Sequence, residues 1–283
     1  MKILVATDFS TRSNRALRQA GLIAQQADAE LHILHVVDDD QPAELICSEK
    51  REAERILNEQ IGSVADIRNV SSHALVLEGD PFDGILRAAR DIQPDLIVMG
   101  SHRKQMLDMF MGTTIERVIR KGPFPVLMVN HEAQRSYNRV VVPIDMTDAS
   151  ANALRTALAT GLINESGATL LHGFFAIAKG QMIVAGLELD AINEHVASER
   201  RSKTDELTKF LVEKDLVGRW QFRIEEGGPI EVIEKAVDQL QPDLLVMGTH
   251  GRSGLAKALI GSVTEETLRT QNVDILVVPP ASR

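Results

Sequence analysis

The chain has 283 residues, 44% of them hydrophobic and 25% charged, a composition typical of a globular protein with about two modest domains. The formal net charge of −9 and the 4% aromatic content argue against a nucleic-acid partner, because polyanions need basic surfaces and single strands need stacking platforms. The single cysteine, Cys47, excludes an internal disulfide and a thiolate metal cluster, and it fits a reducing compartment.

The predicted elements alternate between strand and helix from the start of the chain. A short apolar run ends at Asp8, and Ser10 is placed to cap the helix that follows. The apolar residues of that helix recur at helical spacing and form a predicted buried stripe of Ala16, Leu17, Ala20, Ile23 and Ala24. Further strands are predicted at Leu31–Val37, before Glu78-Gly79, at Asp95–Gly100 and at Pro125–Val129. The run Asp95–Gly100 is apolar after its first residue, which is typical of a parallel strand covered on both faces.

The second half of the chain repeats this order. Residues 226–248 match residues 78–100 at 12 of 23 positions when shifted by 148, and the first strand reappears at Val140–Asp145. Thr147 takes the place of Ser10, and the predicted stripe is Ala153, Leu154, Ala157, Leu158 and Leu162. A second strand, Leu170–Phe175, precedes the segment Ala176–Arg201, which makes this half longer. Because helical periodicity alone does not produce matched loops, we infer an internal duplication.

Each repeat is therefore predicted to be one α/β domain with a doubly wound, five-stranded parallel sheet. We call residues 1–133 copy one and residues 138–283 copy two; the polar stretch His131–Asn138 contains the join. Ligands of such sheets bind beyond the carboxyl ends of the strands, at the point where the strand order reverses.

Copy two carries a glycine-rich loop directly after its fourth predicted strand. Gly248, Gly251 and Gly261-Ser262 give the spacing G-x2-G-x9-G-S, with Gly254 between them. Glycine permits a positive φ and close approach of the backbone, and the helix opened by Gly261-Ser262 has free N–H groups that favour an anion. The pattern predicts a phosphate-binding loop. The alternative is an ordinary turn in which Ser262 and Glu265 form a capping box without a ligand.

The two-copy pattern, the segment QPDLLVMGTHGRSG and the loop spacing resemble the universal stress protein family in its tandem-domain form, with an adenine nucleotide α-hydrolase-like fold. In the ATP-binding branch of that family, the resemblance implies a nucleoside pocket lined by Pro143, Ile144 and Asp145. The residues that follow the nucleotide into the loop would be Met247, Gly248, His250, Gly251 and Arg252. The far phosphates would be held by Gly261, Ser262, Val263 and Thr264. The carboxylate of Asp145 suits a ribose hydroxyl or an amino group; its alternative role is an acid at the helix start beside Thr147.

Copy one departs from this pattern. Arg103 stands in the place of Gly251, the stretch to Gly112 is one residue shorter, and Thr7 is taken to replace Pro143, while Thr113 and Glu116 keep the cap. A side chain in a positive-φ turn costs about 1 kcal/mol. Nucleotide binding is therefore not expected in copy one. The expected role of copy one is to pack against copy two and cover its surface.

Histidines and the cysteine outside the loop give weaker signals. His32 and His35 lie three apart on a strand and so face opposite sides, which makes them poor joint ligands. His172 is expected to be a core or rim histidine, and Cys47, which lacks a positioned base, an incidental thiol.

The function implied by the resemblance is a stress-response or regulatory protein that binds ATP, with Mg²⁺ as a candidate counter-ion and a protein partner of unknown identity. No apolar run reaches the ~20 residues of a membrane span, so no membrane partner and a cytoplasmic location are expected. A slow ATPase or nucleotidyl-transfer enzyme and a nucleotide-free scaffold remain alternatives. The last strands, Pro125–Val129 and Asp274–Pro279, look like sheet edges that pair in an internal pseudo-dimer. Further homodimerisation is left open.

Overall fold

The structure is a computed structural model that describes residues 1–101, 113–133, 137–249 and 260–280. Copy one contains β1 (Lys2–Ala6), α1 (Thr11–Ala27), β2 (Glu30–Val37), α2 (Ala43–Ser63), β3 (Ser72–Glu78), α3 (Pro81–Ile92), β4 (Leu96–Gly100), α4 (Thr114–Lys121) and β5 (Val126–Val129). Copy two contains β6 (Val140–Pro143), α5 (Asp148–Ala159), β7 (Ala168–Phe174), α6 (Lys179–Val184), α7 (Leu189–Glu213), β8 (Gln221–Glu226), α8 (Pro229–Leu240), β9 (Leu244–Gly248), α9 (Ser262–Thr270) and β10 (Asp274–Val278).

The ten strands of the described residues form one sheet in the order β3-β2-β1-β4-β5-β10-β9-β6-β7-β8. The strands of each copy pair in parallel, and the two copies meet where β5 and β10 pair antiparallel, with Leu127 opposite Leu276. Apolar cores cover both faces of the sheet and each core runs through both copies. The predicted α/β class and the internal pseudo-dimer are therefore confirmed, and β5 and β10 lie at the centre of the sheet.

The first helix of each copy starts as predicted. Ser10 accepts a hydrogen bond from the Ser13 amide, and Thr147 accepts one from the Ser150 amide. The predicted stripe of α1 is buried in full. In α5, the prediction that Leu162 belongs to the helix is wrong, because the chain turns at Gly161 with a φ of 70° after α5 has ended; Leu162 is still buried against the core.

The join between the copies is anchored by a buried carboxylate at the start of β10. Asp274, which is 2% exposed, accepts hydrogen bonds from the amides of Asn130 (2.8 Å) and His131 (3.0 Å) and from the phenol of Tyr137 (2.8 Å). Burial raises the pKa of Asp274, although these hydrogen bonds oppose the shift. Burial and the neighbouring carboxylate raise the pKa of Tyr137. The predicted polar linker thus docks onto copy two at both ends.

The longer segment of copy two folds as α6 and the first half of α7. Together with the preceding Phe175, it presents several apolar side chains to solvent, namely Ile177, Ile183, Val184, Leu187 and Leu189. Within the described ranges, none of the helices combines the length and apolar character needed to cross a membrane.

Candidate functional site

The strand order reverses between β1 and β4 in copy one and between β6 and β9 in copy two. We call the carboxyl end of each of these strand pairs the switch point of its copy. Adjacent parallel strands end at the same edge of the sheet, so this edge collects the residues that follow each strand. In copy two the structure brings Pro143, Ile144 and Asp145, at the end of β6, beside Met247 and Gly248, at the end of β9. The side chains of Ile144 and Met247 are 2% and 4% exposed and belong to the cores on opposite faces of the sheet.

Pro143 ends the hydrogen-bonded ladder between β6 and β9. The β1–β4 register continues to Ala6 opposite Met99, whereas the β6–β9 register ends at Val141 opposite Leu245. Proline has no N–H to donate, which explains why the ladder of copy two ends earlier. The registers also correct one sequence comparison: Ala6 pairs with Leu34 as Pro143 pairs with Leu171, so Ala6, not Thr7, is the counterpart of Pro143.

Asp145 sits in a tight turn that leads into α5. Its Oδ1 accepts hydrogen bonds from the Thr147 amide (3.1 Å) and the Thr147 hydroxyl (2.6 Å), and Met146 between them has a φ of 61°. Asp145 is half-buried. Its carboxylate therefore shapes the helix start, as the alternative interpretation predicts. The nucleoside role of Asp145 stays a prediction.

The corresponding turn of copy one has the same geometry. Asp8 Oδ1 accepts from the Ser10 amide at 3.0 Å, and Phe9 has a φ of 60°. Partial burial opposes ionisation of Asp8, but hydrogen bonds from Ser10 and Ser13 outweigh it and hold the pKa of this carboxyl below its usual value. Asp8 is exposed where Asp145 is half-buried.

Gly248 is required by close packing rather than by a positive φ. A Cβ at Gly248 would lie 2.9 Å from the carbonyl oxygen of Ala149 in the first turn of α5, and a Cβ at Gly100 would lie 2.7 Å from that of Arg12. The glycine after the fourth strand therefore lets the first helix of each copy approach the strand end. This role is common to both copies and does not depend on a ligand.

The start of α9 differs from the prediction. Its N-cap is Gly261, whose amide donates to the Thr249 carbonyl at 2.6 Å, and no side-chain hydrogen bond caps the helix within the described residues. The predicted capping box of Ser262 and Glu265 is wrong because this tertiary bond starts the helix one residue early and places Ser262, exposed, in the first turn.

Thr264 and Val263 complete that first turn. The Thr264 hydroxyl donates to the Gly248 carbonyl at 2.8 Å, and Thr264 is 4% exposed. The Thr264 hydroxyl therefore links the start of α9 to the end of β9 by a hydrogen bond. Val263 is half-buried against the core. The structure thus gathers Gly248, Gly261, Ser262, Val263 and Thr264 at one end of the sheet.

Copy one closes the equivalent helix start with its own side chains. The Glu116 amide donates to the Thr113 hydroxyl (3.4 Å), and the Thr113 amide donates to the Glu116 carboxylate (3.0 Å). The predicted cap of α4 is confirmed as a full capping box. A carboxylate therefore occupies the N-terminus of α4, whereas the described residues place none on the N-cap amide of α9.

Some predicted site residues lie outside the described residues: His250, Gly251, Arg252 and Gly254 of copy two, together with Arg103 and Gly112 of copy one. Cys47 is exposed on α2, with the Arg51 guanidinium 3.7 Å from its sulfur. A cavity of about 390 Å³ lies there, over α2 and Glu78, rather than at the switch point. The strand-end geometry and the chemistry of its residues favour the switch point as the candidate site.

Two histidines make a contact that the sequence analysis missed. His35 Nδ1 lies 2.8 Å from the Thr7 carbonyl, and His172 Nδ1 lies 2.7 Å from the Ile144 carbonyl. The signal in the sequence is an equal spacing of 28 residues between strand one and the histidine. His32 contacts His73 instead, so His32 and His35 face different surroundings, as predicted.

Comparison with known proteins agrees with this architecture. A model of the universal stress protein family matches residues 1–130 and again residues 136–279. Universal stress protein E of Escherichia coli strain K12 is 26% identical over 215 residues, which cover 73% of this chain and 67% of that protein. The crystal structure of a universal stress protein from Archaeoglobus fulgidus has a TM-score of 0.69 and 19% identity, covering 99% of this chain and 98% of its own.

A universal stress protein solved in complex with cAMP matches 47% of this chain and 98% of its own, at 22% identity and a TM-score of 0.38. The family model fits each copy separately, and the A. fulgidus structure shares the fold of the whole chain. This chain belongs to the universal stress protein family, as a tandem member with two domains.

Proposed function

We propose that the protein binds one ATP per chain, in copy two, and acts as a nucleotide-responsive regulatory protein of the stress response. The observation that carries the proposal is the start of α9, which lacks a side-chain cap within the described residues, whereas α4 is closed by Thr113 and Glu116. An uncapped helix start directs N–H groups and the positive end of the helix dipole toward an anion.

The phosphate part of the proposal rests on the residues at that helix start. Gly261 has no side chain, Ser262 exposes its hydroxyl, and Thr264 holds the first turn against the Gly248 carbonyl. Negative charge at a helix N-terminus is stabilised by about 0.3–1 kcal/mol in exposed settings. In copy one the Glu116 carboxylate already takes this place and would repel a phosphate.

The nucleoside part rests on the end of β6. Pro143 ends the ladder to β9 early, whereas the corresponding ladder of copy one continues to Ala6. Ile144 and Met247 are buried in the cores on opposite faces of the sheet and fix the two strand ends, and the half-buried Asp145 carboxylate suits a ribose hydroxyl or the adenine amino group. A few fixed polar groups of this kind orient the ligand in small-molecule sites.

Magnesium is proposed as the counter-ion of the nucleotide, because the chain itself carries a net charge of −9. Mg²⁺ usually keeps several waters and binds substrate phosphates through few protein ligands. The exposed Ser262 hydroxyl is the described group best placed to act beside it, since the Thr264 hydroxyl is engaged by Gly248. A cytoplasmic location and an unidentified protein partner remain part of this proposal.

Isothermal titration with Mg-ATP, compared with AMP, tests the proposal. We expect close to one ATP per chain, weaker binding of AMP, which lacks the far phosphates, and weaker binding of ATP in excess chelator. Asp145→Asn should weaken ATP binding about tenfold, as expected for a charge-assisted hydrogen bond. Its matched control is Asp8→Asn in copy one, which should leave the affinity unchanged.

Two equivalent ATP sites per chain, or an equal effect of Asp8→Asn and Asp145→Asn, would contradict the assignment to copy two. A native sample that neither copurifies with adenine nucleotide by mass spectrometry nor binds ATP in titration would favour the scaffold alternative. Release of phosphate during prolonged incubation would favour the slow ATPase.

A further inference from the structure

We infer that His172 is a positioning residue for the nucleotide: it holds the backbone at Ile144 so that Asp145 is presented at the switch point. This inference rests on the proposed ATP site in copy two. The residue itself lies on β7, one strand away from the switch point, and was expected from sequence only to fill the core or its rim.

The geometry shows how the histidine acts on strand β6. The ladder to β7 runs from Val140 to Pro143 and continues for one more bond, from the Ile144 amide to the Leu171 carbonyl at 2.8 Å. There β6 has ended, and the Ile144 carbonyl meets His172 Nδ1 at 2.7 Å. The His172 side chain on β7 thus hydrogen-bonds to the end of β6 at the last carbonyl before Asp145.

The chemistry of this bond fixes the form of the imidazole. A backbone carbonyl can only accept, so Nδ1 must carry the hydrogen. His172 is 6% exposed and Ile144 is 2% exposed, so the bond is shielded from water. Loss of the donor would leave a buried carbonyl unsatisfied, and the strand end would move to reach water or another donor.

The position of Asp145 depends on the bond from His172 because Asp145 lies directly between the Ile144 carbonyl and the sharp turn that leads into α5. Met146 has a φ of 61°, and Thr147 caps α5 while donating twice to Asp145. The carboxylate is therefore held from the helix side by Thr147 and from the strand side by the Ile144 carbonyl. Releasing the strand side would allow the turn, and with it the carboxylate, to shift relative to β9.

Copy one contains the same device and supplies an internal control. His35 Nδ1 lies 2.8 Å from the Thr7 carbonyl, followed by Asp8 and the left-handed Phe9. His35 is half-buried and its ring stacks on Phe9, with centroids 4.3 Å apart. The bond from histidine to the strand-end carbonyl is therefore also present in copy one, which is not proposed to bind nucleotide. Its role common to both copies is to shape the strand end.

Matched substitutions separate shaping the strand end from positioning the ligand. His172→Ala and His35→Ala each remove one such bond, and both should lower the thermal midpoint. Only His172→Ala should weaken ATP binding, by about tenfold, the effect expected for one lost hydrogen bond. His172→Gln, whose amide can donate to the same carbonyl, should recover part of the affinity.

Amide hydrogen exchange gives a readout that does not require nucleotide. His172→Ala should speed exchange at Asp145–Thr147 and leave the turn after Thr7 unchanged, and His35→Ala should do the reverse. Unchanged exchange at Asp145–Thr147 in folded His172→Ala would overturn the inference, as would wild-type ATP affinity in that variant. Failure of the wild type to bind ATP would instead overturn the proposed function.

Discussion

At the scale of single residues, Asp274 shows how one buried acid joins the two copies. Its partners all come from the end of copy one and the linker: the amides of Asn130 and His131 and the phenol of Tyr137. By strand alignment, Pro125 stands in its place in copy one, and proline offers no acceptor side chain. Within the part of the chain that the structure describes, the contact therefore occurs once, on one side of the pseudo-dimer.

Substitutions at Asp274 should separate its hydrogen bonds from its charge. We expect Asp274→Ala to lower the free energy of unfolding by about 2–3 kcal/mol, because two partly buried amides and one buried phenol lose their acceptor. Asp274→Asn keeps an acceptor for the two amides and should cost less. Urea unfolding monitored by circular dichroism measures both, and equal losses in the two variants would contradict the assigned roles.

The pH dependence of that comparison follows from the raised pKa of Asp274. The folded state binds the proton more tightly than the unfolded chain, so the wild type loses stability as pH rises from the unfolded pKa through the raised one. Asp274→Asn has no such titration. Its stability relative to the wild type should therefore improve between pH 4 and pH 7.

At the scale of elements, the edge pair β2–β3 carries a titratable cluster. His32 lies opposite His73 in the register, the rings stack with centroids 5.1 Å apart, and both face Glu30 Oε1, at 3.3 Å and 2.9 Å. Burial lowers the pKa of His32, helped by the positive charges of His73 and Lys2 and opposed by Glu30. The folded state therefore disfavours protonation of His32.

Because the pKa of His32 is lowered in the folded state, the free energy of unfolding decreases in mild acid. Above the unfolded pKa of about 6.5 His32 is neutral in both states; as pH falls below that value, the unfolded chain takes up the proton first and stability declines. We expect His32→Gln to lose less stability than the wild type between pH 7.5 and pH 5.5. A parallel decline in the two proteins, measured by urea unfolding, would show that other groups are responsible.

At the scale of the whole molecule, the β5–β10 ladder makes the copies dependent on each other. Residues 138–283 expressed alone would expose β10 and leave Asp274 without Asn130, His131 and Tyr137. Unpaired strand edges seek partners. We expect this fragment to be unstable or to form a homodimer, and light scattering over a wide range of concentrations distinguishes these outcomes from a stable monomer, which would contradict the dependence.

The sequence was sufficient for the repeat and the element order, because both follow from local periodicity or matched loops. The pairing of the last strands was predicted from their character as sheet edges and from the family resemblance. It was insufficient for the start of α9, since Ser262 and Glu265 satisfy the local capping rule but the bond from Gly261 to Thr249 shifts the helix. The anchor at His172 escaped for the same reason: it joins residues on two strands. Contacts between distant segments are not encoded in the spacing of either segment.

The antiparallel ladder between β5 and β10 also changes what selection can act on. In a dimer of identical chains every substitution appears in both subunits, so a site cannot be lost from one without being lost from the other. Joining the copies makes their association intramolecular, with an effective concentration in the millimolar range for a short linker. Dilution then no longer separates them, and each copy can mutate independently. The capping box of α4 and the one-sided contact of Asp274 are the kind of asymmetry that such a fused chain permits.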